Sequence, residues 1–141
     1  GDDLWYDEII YQTGLTNSDI ASLIRQFGIS RYDEIIADSA EPKSIEELHR
    51  AGFNVHPCVK GADSIRNGIS AMKQFKQHIT ARSVNLQREF SSYSWKQDKD
   101  GRYLPVPIDL FNHGIDAIRY RVTKEKRILK AAPYSIGKLG L

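Results

Sequence analysis

Two rhythms of apolar residues alternate along the chain. LWYDEIIYQ, Leu4 to Gln12, is rich in aromatic and β-branched residues and predicts a strand. After TGLTNSD, where Thr16, Asn17 or Ser18 can cap, Ile20, Leu23, Ile24 and Phe27 recur at helical spacing until Gly28 ends the helix. Glu34 to Asp38 predicts a second, short strand. Ser44 then caps the helix SIEELHRAG, which Gly52 stops, and FNVHPCV reads as a third strand with Pro57 near its far end. GADSIRNGISAMKQF predicts a helix through Ile65, Ile69 and Phe75, HIT a brief strand, and SVNLQREFSSY a further helix. YSWKQDKDGRYLPVP places an Asp-Gly turn between aromatic flanks and predicts a hairpin, and DLFNHGIDAIRYRV forms the last long helix. Such alternation predicts an α/β sheet covered by helices, with parallel pairing around the Asp38 strand. There is no internal repeat, low-complexity segment or linker.

Composition narrows this picture. With 141 residues, 40% hydrophobic and 27% charged, the chain fits one domain over 1–141 with a real core. No apolar run approaches the roughly 20 residues a membrane helix needs, and the polar start GDDLWYDE is unlike a secretory signal, so a soluble, cytoplasmic protein is expected. Cys58 is the only cysteine, which excludes a disulfide framework and a cysteine metal cluster. The formal charge of +2 selects no partner class by itself.

The chemistry concentrates at two places. In an open α/β sheet ligands gather at the carboxyl ends of strands, so Asp38, closing EIIAD, is a candidate there. A turn before the next helix is the other use of an aspartate at that position. On the last helix, at about 100° per residue, Phe111, Ile115, Ile118 and Val122 form one stripe, while Asp109, His113, Asp116 and Tyr120 gather on the opposite side. Convergent carboxylates of this kind suit metal-dependent phosphodiester hydrolysis; the wet face of an amphipathic helix has the same composition. Glu41 reads as a solvated charge near the start of the Ser44 helix, and Lys43 as either an approach to a phosphate near Asp38 or an exposed helix-entry lysine. His49, His56 and His78 lack metal-ligand spacing. Tyr93, Trp95 and Tyr103 suit either base stacking or packing of the hairpin, and Arg119, Arg121, Lys124, Lys126, Arg127 and Lys130 make the last helix and the segment after it basic.

ADSAEPKSIEELHRAGFNV, KGADSIRNGI, YSWKQDKDG and FNHGIDAIRY, an ordered series within about Leu4 to Val122, resemble the C-terminal nuclease domain of the large terminase subunit of tailed phages and prophages. The resemblance implies an RNase H-like mixed sheet flanked by helices. It implies a Mg²⁺- or Mn²⁺-dependent endonuclease that cuts concatemeric viral DNA during packaging in the bacterial cytoplasm. Double-stranded DNA, an ATPase motor domain of the same subunit, the portal and the small terminase subunit are the implied partners. No GxxxxGK[ST] occurs here, so the motor is not within this sequence. Carried over by motif, Asp38 and Asp116 are the implied catalytic, metal-holding carboxylates, and His113 stands beside the metal. The family has a third carboxylate in an Asp-aromatic-Gly stretch on a preceding strand. This sequence shows no counterpart, and Asp2, Asp3 and Asp7 are poor substitutes. The expectation is therefore a single nuclease domain truncated at its N-terminus, lacking the first strand and ending in a basic tail, 123–141, with little activity of its own. The alternative is a non-catalytic DNA- or partner-docking module of the same fold.

Overall fold

In the computed structural model, residues 2–93, 95–107 and 112–138 are described. The elements follow in the order β1 (Asp3–Tyr6), α1 (Asn17–Gln26), β2 (Glu34–Ala37), α2 (Pro42–Arg50), β3 (Asn54–Pro57), α3 (Ser64–Lys73), β4 (Lys76–Ile79), α4 (Val84–Ser92), β5 (Trp95–Gln97), β6 (Tyr103–Pro107) and α5 (His113–Lys138). Among the described residues the strands form three two-stranded ladders. β2 and β3 pair in parallel from Glu34 opposite Asn54 to Ala37 opposite Pro57, with α2 as the crossover that parallel pairing requires. β1 and β4 also pair in parallel, Asp3 opposite Lys76 through Tyr6 opposite Ile79. β5 and β6 are antiparallel, as the Asp-Gly turn predicts. In that turn one oxygen of Asp98 accepts the amides of Asp100 and Arg102, both at 2.9 Å, and Gly101 takes φ +81°, a conformation other residues rarely adopt.

Two apolar clusters hold these ladders. Ala21, Ile24, Leu48, Phe53 and Val55 bind α1 and α2 to β3. Ile69, Ala71, Met72, Ile115 and Val122 bind α3 to α5, so the predicted stripe of the last helix is its buried face. α1 begins with a reciprocal cap: Thr16 accepts the Asp19 amide at 3.1 Å and Asp19 accepts the Thr16 amide at 3.0 Å. α2 begins at Pro42, two residues before the expected Ser44, because proline lacks the N–H that a first helical turn leaves unused.

β1 is shorter than the nine-residue strand its pattern predicts. Residues after Tyr6 spend their polar groups on α4 and its approach instead of a ladder. Asp7 accepts from Thr80 at 2.7 Å and from Arg82, Glu8 accepts the Leu86 amide at 2.9 Å, and Tyr11 donates to Glu89 at 2.7 Å. The last helix starts at His113, and its backbone continues through the expected tail to Lys138. Asp109 and Phe111 lie outside the described residues. α5 packs against α3, α4 and β2, and its Arg121 and Lys124 meet Glu34 at the start of that strand. Beside α5 runs an apolar groove of about 540 Å³ lined by Leu4, Phe75, Leu86, Ile118 and Val122.

Candidate active site

Asp38 follows the last paired residue of β2. The ladder closes behind it when the Cys58 amide donates to the Ala37 carbonyl at 2.7 Å. Asp38 Oδ1 accepts the Ala40 amide at 2.9 Å, and its carbonyl accepts the Glu41 amide at 3.2 Å, so the residue shapes the turn into α2. The same carboxylate also faces outward to meet other elements. Lys60, beyond β3, brings its Nζ to 2.6 Å from Oδ1. The Tyr120 hydroxyl, from α5, stands on the side of the same carboxylate and helps to hold it low. The Lys60 contact first, and the Ala40 amide second, hold the Asp38 carboxyl below its usual range, while Asp38 raises the Lys60 ammonium.

Tyr120 is the meeting point. Burial pushes its phenol up first, the negative charge of Asp38 pushes it further, and Asp116 acts in the same direction. Lys60 Nζ stands 5.7 Å and Arg119 Cζ 4.8 Å from the centre of its ring. Arg119 in turn reaches Asp116 Oδ1 at 3.3 Å. Asp38 and Asp116, 78 positions apart, thus both act on one phenol, one from a strand end and the other from a helix face. His113 is exposed at the first position of α5, without a hydrogen-bond or ion-pair partner among the described residues. Among those residues no group of three or more His, Cys, Asp or Glu side chains has metal-binding geometry.

The other residues singled out by sequence divide plainly. Glu41 is exposed at the N-cap of α2 and makes no side-chain cap, and Lys43 is exposed within the first turn. His56 bonds Asn54 at 2.8 Å, and His78 bonds Asp3 at 2.7 Å while stacking on Trp5 at 4.2 Å, so both have structural partners. His49 meets His56 edge-on at 6.5 Å. Tyr103 is exposed and Tyr93 half-buried, and the Trp95 side chain lies outside the described residues. Part of the basic run is neutralised: Lys124 pairs with Glu34 at 2.7 Å, and Arg121 bridges Glu34 and Glu125. The side chains of Lys126, Arg127 and Lys130 are not among those described.

Lys60, Arg119 and Glu89 escaped the sequence reading as parts of this region. Lys60 follows a strand end in VKG, the weak signal that could have found it. Arg119 reads as one more base in a charged run, yet it is buried; its Nε finds no hydrogen-bond partner among the described residues. Nothing in the pattern of SVNLQREFSSY marks Glu89 as interior.

Comparison with known proteins agrees with the fold. The family model described as the terminase RNase H-like domain matches residues 1–124. The terminase large subunit of Bacillus phage SPP1 is 35% identical over 97 residues, covering 66% of this chain and 23% of that protein. The PBSX phage terminase large subunit of Bacillus subtilis (strain 168) is 31% identical over 111 residues, 78% of this chain and 25% of that protein. The chain thus spans about a quarter of the length of these two relatives. The crystal structure of the large terminase nuclease domain from bacteriophage SPP1 with bound Mn superposes with a TM-score of 0.79 at 28% identity, covering 88% of this chain and 72% of that one. Its α/β arrangement is therefore RNase H-like, and no described helix is long and apolar enough to cross a membrane. On sequence and on fold alike, the chain belongs to the terminase RNase H-like nuclease domain family.

Proposed function

We propose that this chain is the DNA-cutting part of a phage or prophage terminase large subunit, acting on concatemeric viral DNA during packaging in the host cytoplasm. We further propose that Asp38 and Asp116 hold its divalent metal. The observation that carries the reading is the chain of contacts that links the two carboxylates, from Asp38 through Lys60, the Tyr120 ring and Arg119 to Asp116. Hard cations such as Mg²⁺ and Mn²⁺ take carboxylate oxygens, and both acids are partly exposed, so the donor set fits the ion. The Mn in the SPP1 nuclease domain supports the same class of ion. When bound, such ions activate water and stabilise the leaving oxygen of a phosphodiester.

The residues of this chain divide the remaining work. Arg119 fixes the orientation of Asp116, and Tyr120 does the same for Asp38. Lys60 is placed to contact a backbone phosphate of the double-stranded DNA substrate. His113, on the same side of α5 within one turn of Asp116, orients a ligand or a water. Two carboxylates bind a divalent ion weakly, and the third acid that the family resemblance implies has no counterpart in this sequence, so little cleavage is expected of this chain by itself. An ATPase motor domain, the portal and the small subunit are the partners proposed for the assembled machine.

The third carboxylate without a counterpart in this sequence keeps a second reading, a non-catalytic DNA- or partner-docking module. Plasmid cleavage in Mn²⁺ by the complete subunit carrying this domain separates the two. Asp38→Ala and Asp116→Ala should each abolish cutting, and His113→Ala should reduce it, with melting temperatures near wild type. Undiminished cutting by both aspartate variants would remove the catalytic reading and leave the docking module.

A further inference from the structure

Among the described residues Glu89 is the one fully buried acidic side chain, with 0% exposure. Although it belongs to α4, its oxygens serve the start of α5. Oε1 accepts the Ile115 amide at 2.9 Å, and Oε2 accepts the Gly114 amide at 2.9 Å and the Tyr11 hydroxyl at 2.7 Å. The first turn of a helix leaves amides with no carbonyl partner, and here a side chain from another helix closes two of them. A carboxylate also suits the positive end of the helix dipole.

This contact is the second of two in series. Glu8 closes the start of α4 in the same way, accepting the Leu86 amide at 2.9 Å and the Asn85 side chain at 2.8 Å, while the Glu8 amide donates to Ser83 Oγ at 2.8 Å. The segment after β1 therefore holds α4 through Glu8 and reaches Glu89 through Tyr11, and Glu89 holds α5. Gly114 makes the last contact possible. A Cβ there would lie 2.4 Å from Leu86 Cδ2 and 3.3 Å from both Glu89 oxygens. The residue after the capped Ile115 is Asp116.

We propose that Glu89 is a positioning residue for the metal site: by bonding the Gly114 and Ile115 amides it fixes the first turn of α5 and so directs Asp116 toward Tyr120 and Asp38. The inference rests on the reading of Asp116 as a metal ligand, so its test has one arm that needs no metal. In that arm amide hydrogen exchange is followed residue by residue by NMR in wild type, Glu89→Ala and the nearly isosteric Glu89→Gln. Exchange at Gly114 and Ile115 should accelerate by at least about tenfold in Glu89→Ala, with Val55 unchanged as the sign of an intact fold. Glu89→Gln, which keeps one acceptor, should fall between, and it carries the test if the alanine variant does not fold.

In the second arm Mn²⁺ is titrated and paramagnetic broadening of the Asp38, Tyr120 and Asp116 amide signals is recorded, with Asp116→Ala as reference. Broadening at Asp116 should fall in the Glu89 variants toward the reference level, because a displaced carboxylate no longer joins the site. Unchanged exchange at Gly114 and Ile115 overturns the proposal, and so does wild-type broadening at Asp116 once that protection is lost. If the signals in wild type do not broaden at all, the metal reading fails, and the exchange data alone decide whether Glu89 holds α5.

Discussion

Gly68→Ala tests the close approach of α3 to α5, the helix that carries Asp116. Gly68 is buried on α3, and a Cβ built there would lie 2.2 Å from Arg119 Cγ, 2.7 Å from Arg119 Cδ and 3.2 Å from Thr123 Oγ1. Carbon atoms prefer about 3.5 to 4 Å, so the overlap exceeds about 1 Å. Cγ lies near the α5 backbone and cannot swing aside as a side-chain tip would. Two effects oppose each other. Alanine in a helix interior gains about 1 kcal/mol over glycine, whereas overpacking of a tight interior costs about 1 to 3 kcal/mol. An overlap this deep belongs at the upper end of that range, leaving a net loss of about 1 to 2 kcal/mol. For a chain of this size the melting temperature should fall by about 4 to 8 °C, read by calorimetry or thermal circular dichroism. Removing the obstruction should reverse the sign: with Arg119→Ala as background, Gly68→Ala should be neutral or stabilising, which a double-mutant cycle measures. A rise in melting temperature in the wild-type background would refute the reasoning, as would an equal loss in both backgrounds.

Two further outcomes follow from the polar contacts. Arg82, through hydrogen bonds that include Nε at 2.8 Å, pulls the Asp7 carboxyl from 3.8 down to about 2. A group lowered on folding stabilises above its unfolded value and loses that contribution as pH falls through its folded value, so the Asp7 share fades between pH 3.8 and about 2. Melts of wild type and Asp7→Asn across that window should converge toward its acid end; a constant gap would show that Asp7 does not titrate differently in the folded chain. Tyr120→Phe keeps the ring beside Lys60 and Arg119 but removes the hydroxyl on the side of Asp38, which should cost about 1 kcal/mol, or about 4 °C. An unchanged melting temperature would mean that water replaces the phenol without loss.

Local chemistry was legible in the sequence where it decides the structure. The cap at Thr16, the parallel pairing of β2 and the Asp100-Gly101 turn each follow from residues close together in the chain, and each forms as its pattern predicts. The stripe of Ile115, Ile118 and Val122 identified the buried face of α5, and with it the side on which Asp116 and Tyr120 sit. Long-range polar pairing was not legible. LWYDEIIYQ has the composition of a long strand, but Asp7, Glu8 and Tyr11 find partners 73 to 78 positions away, and those bonds end the strand at Tyr6. Glu89 sits inside because the start of another helix supplies amide donors to it, a compensation that its own segment does not display, whereas Arg119 meets Asp116 three residues earlier on the same helix.

The two parallel ladders also set an order of assembly. Glu34 and its partner Asn54 are 20 positions apart, whereas Asp3 and Lys76 are 73 apart. Closing the longer loop costs about 1 kcal/mol more in chain entropy, and its reward waits until the helices between have formed. β1 should therefore be the last of these strands to find its partner, and in pulse-labelled refolding protection at Val55 should precede protection at Leu4. The half bearing Asp38 can close early. Glu8 and Tyr11 arrive only when β1 docks, and they bring with them the clamp on α4 and the bond to Glu89 that seats the start of α5. On this order the seating of the first turn of α5, which leads into Asp116, comes late in folding.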